Sequence, residues 1–161
     1  MIENSIKMIL MLHGMIMSFG GIPLLYYGDE VGTLNDYAYL EDDSKQRDNR
    51  WMHRPRINWD KVALRNKRGT VEQRIFDGTN NLIAVRKTIP AFADFNNRML
   101  VDVSNEHLFV YIRTNPERFN ESVLVVGNFD LNPQQLNLSD LGHYWPFEIS
   151  RLRDLVSGES P

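Results

Sequence analysis

The chain is 161 residues long, 42% hydrophobic and 24% charged, a composition that argues against disorder and allows a sizeable core without disulfides or a structural metal. Its net charge of −3 offers no excess of Lys and Arg to meet nucleic acid or an anionic membrane. The absence of cysteine excludes disulfides, thiolate metal sites and a cysteine nucleophile, and is compatible with the cytoplasm, where the chain is expected to reside.

From Ile6 to Phe19 apolar residues fall nearly all round a helical wheel, which predicts a helix over about Asn4 to Phe19 packed on more than one side. His13 interrupts this run as a signal core, and Gly20, Gly21 and Pro23 end it before the roughly 20 apolar residues a membrane span needs, so no membrane partner is expected. Within so apolar a helix His13 reads as a hydrogen-bonded core histidine. Ile22 to Tyr27 shows no polar alternation and predicts a strand, centred on Leu24 to Tyr27 and buried on both faces, with the acidic tip Asp29-Glu30 at its exit.

Residues 32 to 69 are polar and aromatic without sustained periodicity, and Tyr37, Tyr39, Trp51 and Trp59 mark them as an ordered functional loop. Val71, Ile75, Leu82, Val85 and Ile89 share a helical face, so a second helix is predicted from about Thr70 to Thr88, started by Thr70 with Gln73 and stopped by Pro90. Beyond Asn96-Asn97 the texture changes. Met99 to Val103, Leu108 to Arg113 and Val123 to Asn128 read as strands, with Leu136 to Leu138 and Phe147 to Leu155 as two more, separated by turn residues. An antiparallel sheet or sandwich follows, with a domain boundary near residues 90 to 97.

The string from Gly20 to Gly32, GGIPLLYYGDEVG, resembles the eighth strand and its exit in glycoside hydrolase family 13, the alpha-amylase superfamily. Thr33-Leu34-Asn35-Asp36-Tyr37 and Asp48 to Arg56, DNRWMHRPR, resemble amylosucrases more than alpha-amylases in general. The resemblance is strong over residues 1 to 90 and weak beyond. It implies an α/β plus all-β organisation: residues 1–92 as the last unit of a (β/α)8 TIM barrel and residues 93–161 as a C-terminal antiparallel β-sandwich, incomplete at both ends. It also implies a retaining glucosyl transfer from sucrose to an alpha-glucan that releases fructose and uses no cofactor. The nucleophile, the acid/base and the third essential aspartate of the family precede the eighth strand, so no catalytic residue is expected here and the chain alone is expected to be inactive.

Arg50 leads the candidate substrate-binding residues. By its place in the string it resembles the amylosucrase arginine that pairs with an upstream aspartate to close the bottom of a glucose pocket, although Asn49 stands where a serine is expected. A guanidinium suits that role because it stays charged and engages a carboxylate through two parallel hydrogen bonds. Asp29 and Glu30 are adjacent and point in different directions on leaving a strand, so they make a poor catalytic pair. Two readings stand for them, shaping the pocket or holding the loop through backbone amides. Tyr37 and Trp51 stay open between stacking on a sugar face and anchoring the loop; for Trp59 anchoring is favoured.

No metal site is expected: His53, His107 and His143 lack a ligand spacing, and Glu41-Asp42-Asp43 reads as a solvated acidic turn. Sucrose and alpha-glucan are the expected partners of the complete enzyme. The chain by itself is expected to self-associate through the apolar, barrel-facing surface of residues 1 to 30. The alternatives are a non-catalytic carbohydrate- or protein-binding module, or part of a sucrose hydrolase, sucrose phosphorylase or trehalose synthase.

Overall fold

The computed structural model describes residues 1–115, 117–118, 121–145 and 152–158. Among these residues three α-helices, α1 (Ile2–Phe19), α2 (Trp59–Ala63) and α3 (Val71–Thr88), precede three strands, β1 (Arg98–Val101), β2 (Leu108–Arg113) and β3 (Val123–Asn128). The chain forms two compact units, residues 1–24 with 79–161, and residues 25–78.

The larger unit is organised about an antiparallel meander in the order β1-β2-β3. Its register pairs Leu100 with Tyr111, Val110 with Val126 and Ile112 with Leu124. Alternation along β2 sends Val110 and Ile112 to one face, where they form a buried cluster with Val101 and Leu141, packed by Leu136, Tyr144 and Trp145. The other face carries Phe109, Tyr111 and Arg113 against the end of α1. Phe19 lies edge-on to Tyr111 with ring centroids 5.3 Å apart, and Ser18 Oγ and Tyr111 Oη are 2.6 Å apart. The central strand is therefore covered on both sides, by a helix and by the segment leading to Trp145. No second sheet and no closed barrel occur among the described residues.

The C-terminus of α1 is satisfied by cations from distant parts of this unit. Arg113, fully buried, donates to Ser18 O, Asp94 O and, at 2.6 Å, Asn97 Oδ1. Arg86 donates to Met17 O and, at 3.1 Å, to Gly21 O. Guanidinium groups at helix-terminal carbonyls offset the negative end of the helix dipole and complete acceptors that the helix leaves unpaired. Burial pulls the Arg113 pKa down. Gly20 ends the helix with φ 130, a conformation largely confined to glycine, and an added Cβ would stand 2.5 Å from Phe95 O.

Helix α3 starts as expected, with Gln73 N donating to Thr70 Oγ1 at 3.2 Å, but the Gln73 side chain reaches back to Gly69 N rather than Thr70 N. His13 is the core histidine expected, its Nδ1 3.1 Å from Thr79 Oγ1.

Three expectations are corrected. Residues 22–26 form no strand, and Ile22 and Leu24 are exposed, because among the described residues no neighbouring strand offers a ladder for this stretch. Leu136 to Leu138 is not a strand either: Leu136 turns into the core, and Asn137 caps a 3-10 helix over Leu138–Leu141 by accepting from Ser139 N at 3.2 Å. The polar loop contains the short helix α2, started by Asn58, whose side chain accepts from Lys61 N at 3.1 Å. Most of the strand expected over Phe147 to Leu155 lies outside the described residues, and Leu152–Leu155 carry no strand. No helix of the described residues is long and apolar enough to cross a membrane.

Candidate functional site

The candidate residues lie in the unit of residues 25–78, where the chain makes successive tight turns. Gly28 and Gly32 both adopt left-handed geometry around a 3-10 turn over Asp29–Val31. At Gly28 an added Cβ would meet Thr33 Oγ1 at 2.7 Å, so both conformation and space call for glycine. The two carboxylates at this turn are engaged locally: Glu30 Oε2 accepts from Gly28 N at 2.7 Å and Asp29 Oδ2 from Tyr26 N at 3.3 Å. Each stabilises the turn on which it sits.

Tyr26 and Tyr27 precede the turn with ring centroids 4.4 Å apart, and Tyr27 Oη donates to Pro55 O at 3.3 Å. The Tyr27 pKa is raised, mainly by its hydrogen bond to Tyr26. Both rings are partly exposed, and reading them as buried strand residues concealed them as contact candidates. Their adjacency to Gly28-Asp29-Glu30 was the available signal.

Two distant strings meet across the loop. Asp36 N donates to Met52 O at 2.9 Å, and His53 Nδ1 lies 3.2 Å from Asn35 Oδ1. Residues 33–37 and 48–56 are thereby brought side by side, the first running into the 3-10 helix Ala38–Glu41 and the second containing that over Asn49–His53.

Asp48 caps the second of these helices. Its Oδ1 accepts from Arg50 N at 3.0 Å and from Arg50 Nε at 2.8 Å, and its Oδ2 from Arg50 Nη2 at 2.8 Å. These bonds, the side-chain bond first, pull the Asp48 pKa from the ordinary carboxylate value to about 2, and the same pair raises that of Arg50. The Arg50 side chain is 69% exposed.

Trp51 has the Lys45 ammonium over its ring, 5.5 Å from the centroid, and Lys45 is held by Asp42 at 2.5 Å. One face of the indole is thus attended by a cation. The acidic turn is a network of local bonds, with Asp42 also accepting from Ser44, and its pKa falls to about 2, chiefly through Lys45. Tyr37 stands exposed at the start of its 3-10 helix, which suits a contact surface. Trp59 is 71% exposed at the first position of α2, so the expected anchoring role is corrected: its ring presents itself to solvent.

The structure therefore gathers Asp29, Glu30, Tyr37, Arg50 and Trp51 into one turn-rich unit, together with Tyr26, Tyr27 and His53. Among the described residues no group of three His, Asp or Glu side chains is arranged to hold a metal ion.

No family model matches the chain. Over 173 aligned positions it is 26% identical to trehalose synthase/amylase TreS of Mycobacterium tuberculosis (strain H37Rv), covering 93% of this chain and 28% of that protein. It is 28% identical over 178 positions to TreS of Mycolicibacterium smegmatis, covering 93% of this chain and 30% of that protein. It is 24% identical over 140 positions to glucosylglycerate phosphorylase of Escherichia coli K12, covering 86% of this chain and 24% of that protein. The chain thus spans less than a third of the length of these curated relatives. At these identities the chain is similar to a portion of such carbohydrate enzymes, and the matches single out neither amylosucrase nor sucrose.

Proposed function

We propose that the chain supplies the eighth-strand segment, the pocket-closing loop and a C-terminal β domain to a retaining glucosyltransferase that moves glucose from sucrose to an alpha-glucan. In this reading residues 1–92 belong to the (β/α)8 barrel and residues 93–161 to a β-sandwich. The observation that carries it is the pairing of residues 33–37 with residues 48–56, which sets exposed Arg50 and Trp51 within one loop assembly beside Tyr37. Arg50 closes the sugar pocket as a fixed cation, and the aromatic side chains offer faces for the apolar side of a pyranose. Catalysis comes from carboxylates elsewhere: retaining transfer needs two of them about 5 Å apart on a rigid frame, whereas Asp29 and Glu30 each brace their own turn.

The test joins this chain to an amylosucrase-type barrel lacking the corresponding segment and measures fructose release from sucrose with glycogen present. The chain alone should release none, the joined protein should, and Arg50→Ala in the joined protein should remove most turnover. Turnover by the isolated chain, or an inert Arg50→Ala substitution, would sink the reading. The relatives favour a second one, a trehalose-forming enzyme. Trehalose production by the joined protein from the alpha-glucan, without fructose release from sucrose, would select it.

The chain by itself also exposes Met8, Leu12 and Ile16 on α1, and beyond them Ile22 and Leu24. We expect it to self-associate through residues 1 to 30, because an apolar patch of this kind seeks cover. Sedimentation should give an average mass that rises with concentration and falls back in Leu12→Lys with Ile16→Lys; a strict monomer at high concentration counts against it.

A further inference from the structure

We propose that Asp48 is the positioning residue for Arg50: it fixes the guanidinium by its side edge and leaves the end-on edge presented for a ligand. This rests on the reading of Arg50 as a pocket residue, but its geometry stands separately. Most exposed ion pairs join two mobile side chains at one point and contribute little. Here one carboxylate grips a single residue at both ends. Oδ1 accepts from the Arg50 backbone amide at 3.0 Å and from Nε at 2.8 Å, while Oδ2 accepts from Nη2 at 2.8 Å. The backbone bond ties Asp48 to the first turn of the Asn49–His53 helix, and the two guanidinium bonds then set the plane of the arginine fork against that turn.

The consequence follows from the shape of the group. A guanidinium has two edges that can hold a pair of oxygens side by side, one formed by Nε and an Nη, the other by the two Nη atoms. Asp48 takes the first. Among the described residues Nη1 has no hydrogen-bond partner, and the side chain is largely exposed, so the second edge is open. Without Asp48, a long arginine side chain must be ordered by its ligand at an entropic cost; with it, the fork is set beforehand.

The same carboxylate caps the helix, so the test has to separate capping from positioning. Asp48→Asn keeps a side-chain oxygen for the Arg50 amide but removes the charge and one oxygen of the grip. Asp48→Glu keeps the charge and lengthens the reach, which favours the guanidinium over the cap. Nitrogen-15 NMR of the full chain reads both bonds: the Arg50 backbone amide reports the cap, and its Nε–Hε resonance reports the grip. In the parent chain the Nε–Hε signal of Arg50 should be separate from those of exposed arginines and slow to exchange. Asp48→Asn should return it to the exposed group with little movement of the Arg50 amide, and Asp48→Glu should retain it. An Nε–Hε signal indifferent to Asp48→Asn, or one already merged with exposed arginines in the parent chain, overturns the proposal. These outcomes do not depend on any sugar, whereas failure of the pocket reading appears as an inert Arg50→Ala in the joined enzyme.

Discussion

In residues 1–24 and 79–161, a strand is buried on both faces and Val101, Val110, Ile112 and Leu141 form a core, whereas in residues 25–78 only Gly28, Val31 and Ile75 are buried. The first unit is held chiefly by area removed from water. The second is held by side chains that return to nearby backbone amides: Asp29, Glu30, Asp36, Asp42, Asp48 and Asn58 each accept from an amide within three residues. All candidate contact residues lie in the second unit. Turns stabilised in this way can be rearranged without breaking a core, which suits a segment that contacts ligand.

The largest effect should come from Arg113, a charge buried in the first unit. Arg113→Met leaves Ser18 O and Asp94 O without their buried donor, and should cost about 3 kcal/mol or more, measured as a lower urea midpoint. A loss under about 1 kcal/mol would mean that water or other groups complete these acceptors equally well. Next in size is Ile75→Ala, which removes the largest buried side chain of the second unit. It should cost about 2–3 kcal/mol, at the low end for a buried isoleucine because the surrounding turns can close in. Hydrogen exchange should quicken in residues 25–78 more than in β2. Equal acceleration in both would erase the contrast between the units.

Gly28→Ala is smaller and local. A left-handed φ of 92 and an approach of 2.7 Å to Thr33 Oγ1 predict a loss of about 1–2 kcal/mol, detected as amide shifts confined to residues 26–33. Partial restoration by a simultaneous Thr33→Ala change would trace part of the cost to the approach of Thr33 Oγ1.

These contrasts explain what the sequence revealed. β2 and β3 were legible to the residue because alternation and burial act together there, and α3 because its apolar face and its Thr70 start agree. The short stretch at Ile22 to Tyr27 was misleading: unbroken hydrophobicity reports a need for burial but cannot supply the partner strand. The two motif strings were visible as separate runs, but their juxtaposition depends on Asp36–Met52 and Asn35–His53 bonds that no periodicity encodes. The arginines at the end of α1 were invisible for a related reason. In the sequence Arg86 and Arg113 are ordinary members of a helix and a strand, and only the fold brings them to the carbonyls of Met17 and Ser18.

The smallest effect distinguishes the two modes of stabilisation most cleanly. Asp42 and Asp48 have folded-state pKa values of about 2, below the roughly 3.9 of an unfolded aspartate. Their contributions are therefore complete above about pH 4 and are lost as the pH falls through about 2. Both groups are only half-buried, so solvent screening keeps the effect on global stability small. Lowering the pH from 4 to 2 at low salt should loosen Asp42–Lys45 and Asp48–Arg50 first, seen in the carboxyl and Arg50 Nε–Hε resonances, while the amides of β2 keep their protection through the start of this window. Added salt should weaken both pairs at pH 7 in the same way, because screening acts on exposed charges. If β2 loses protection together with residues 42–51, the two units share one cooperative transition, and the loop cannot open independently of the sheet.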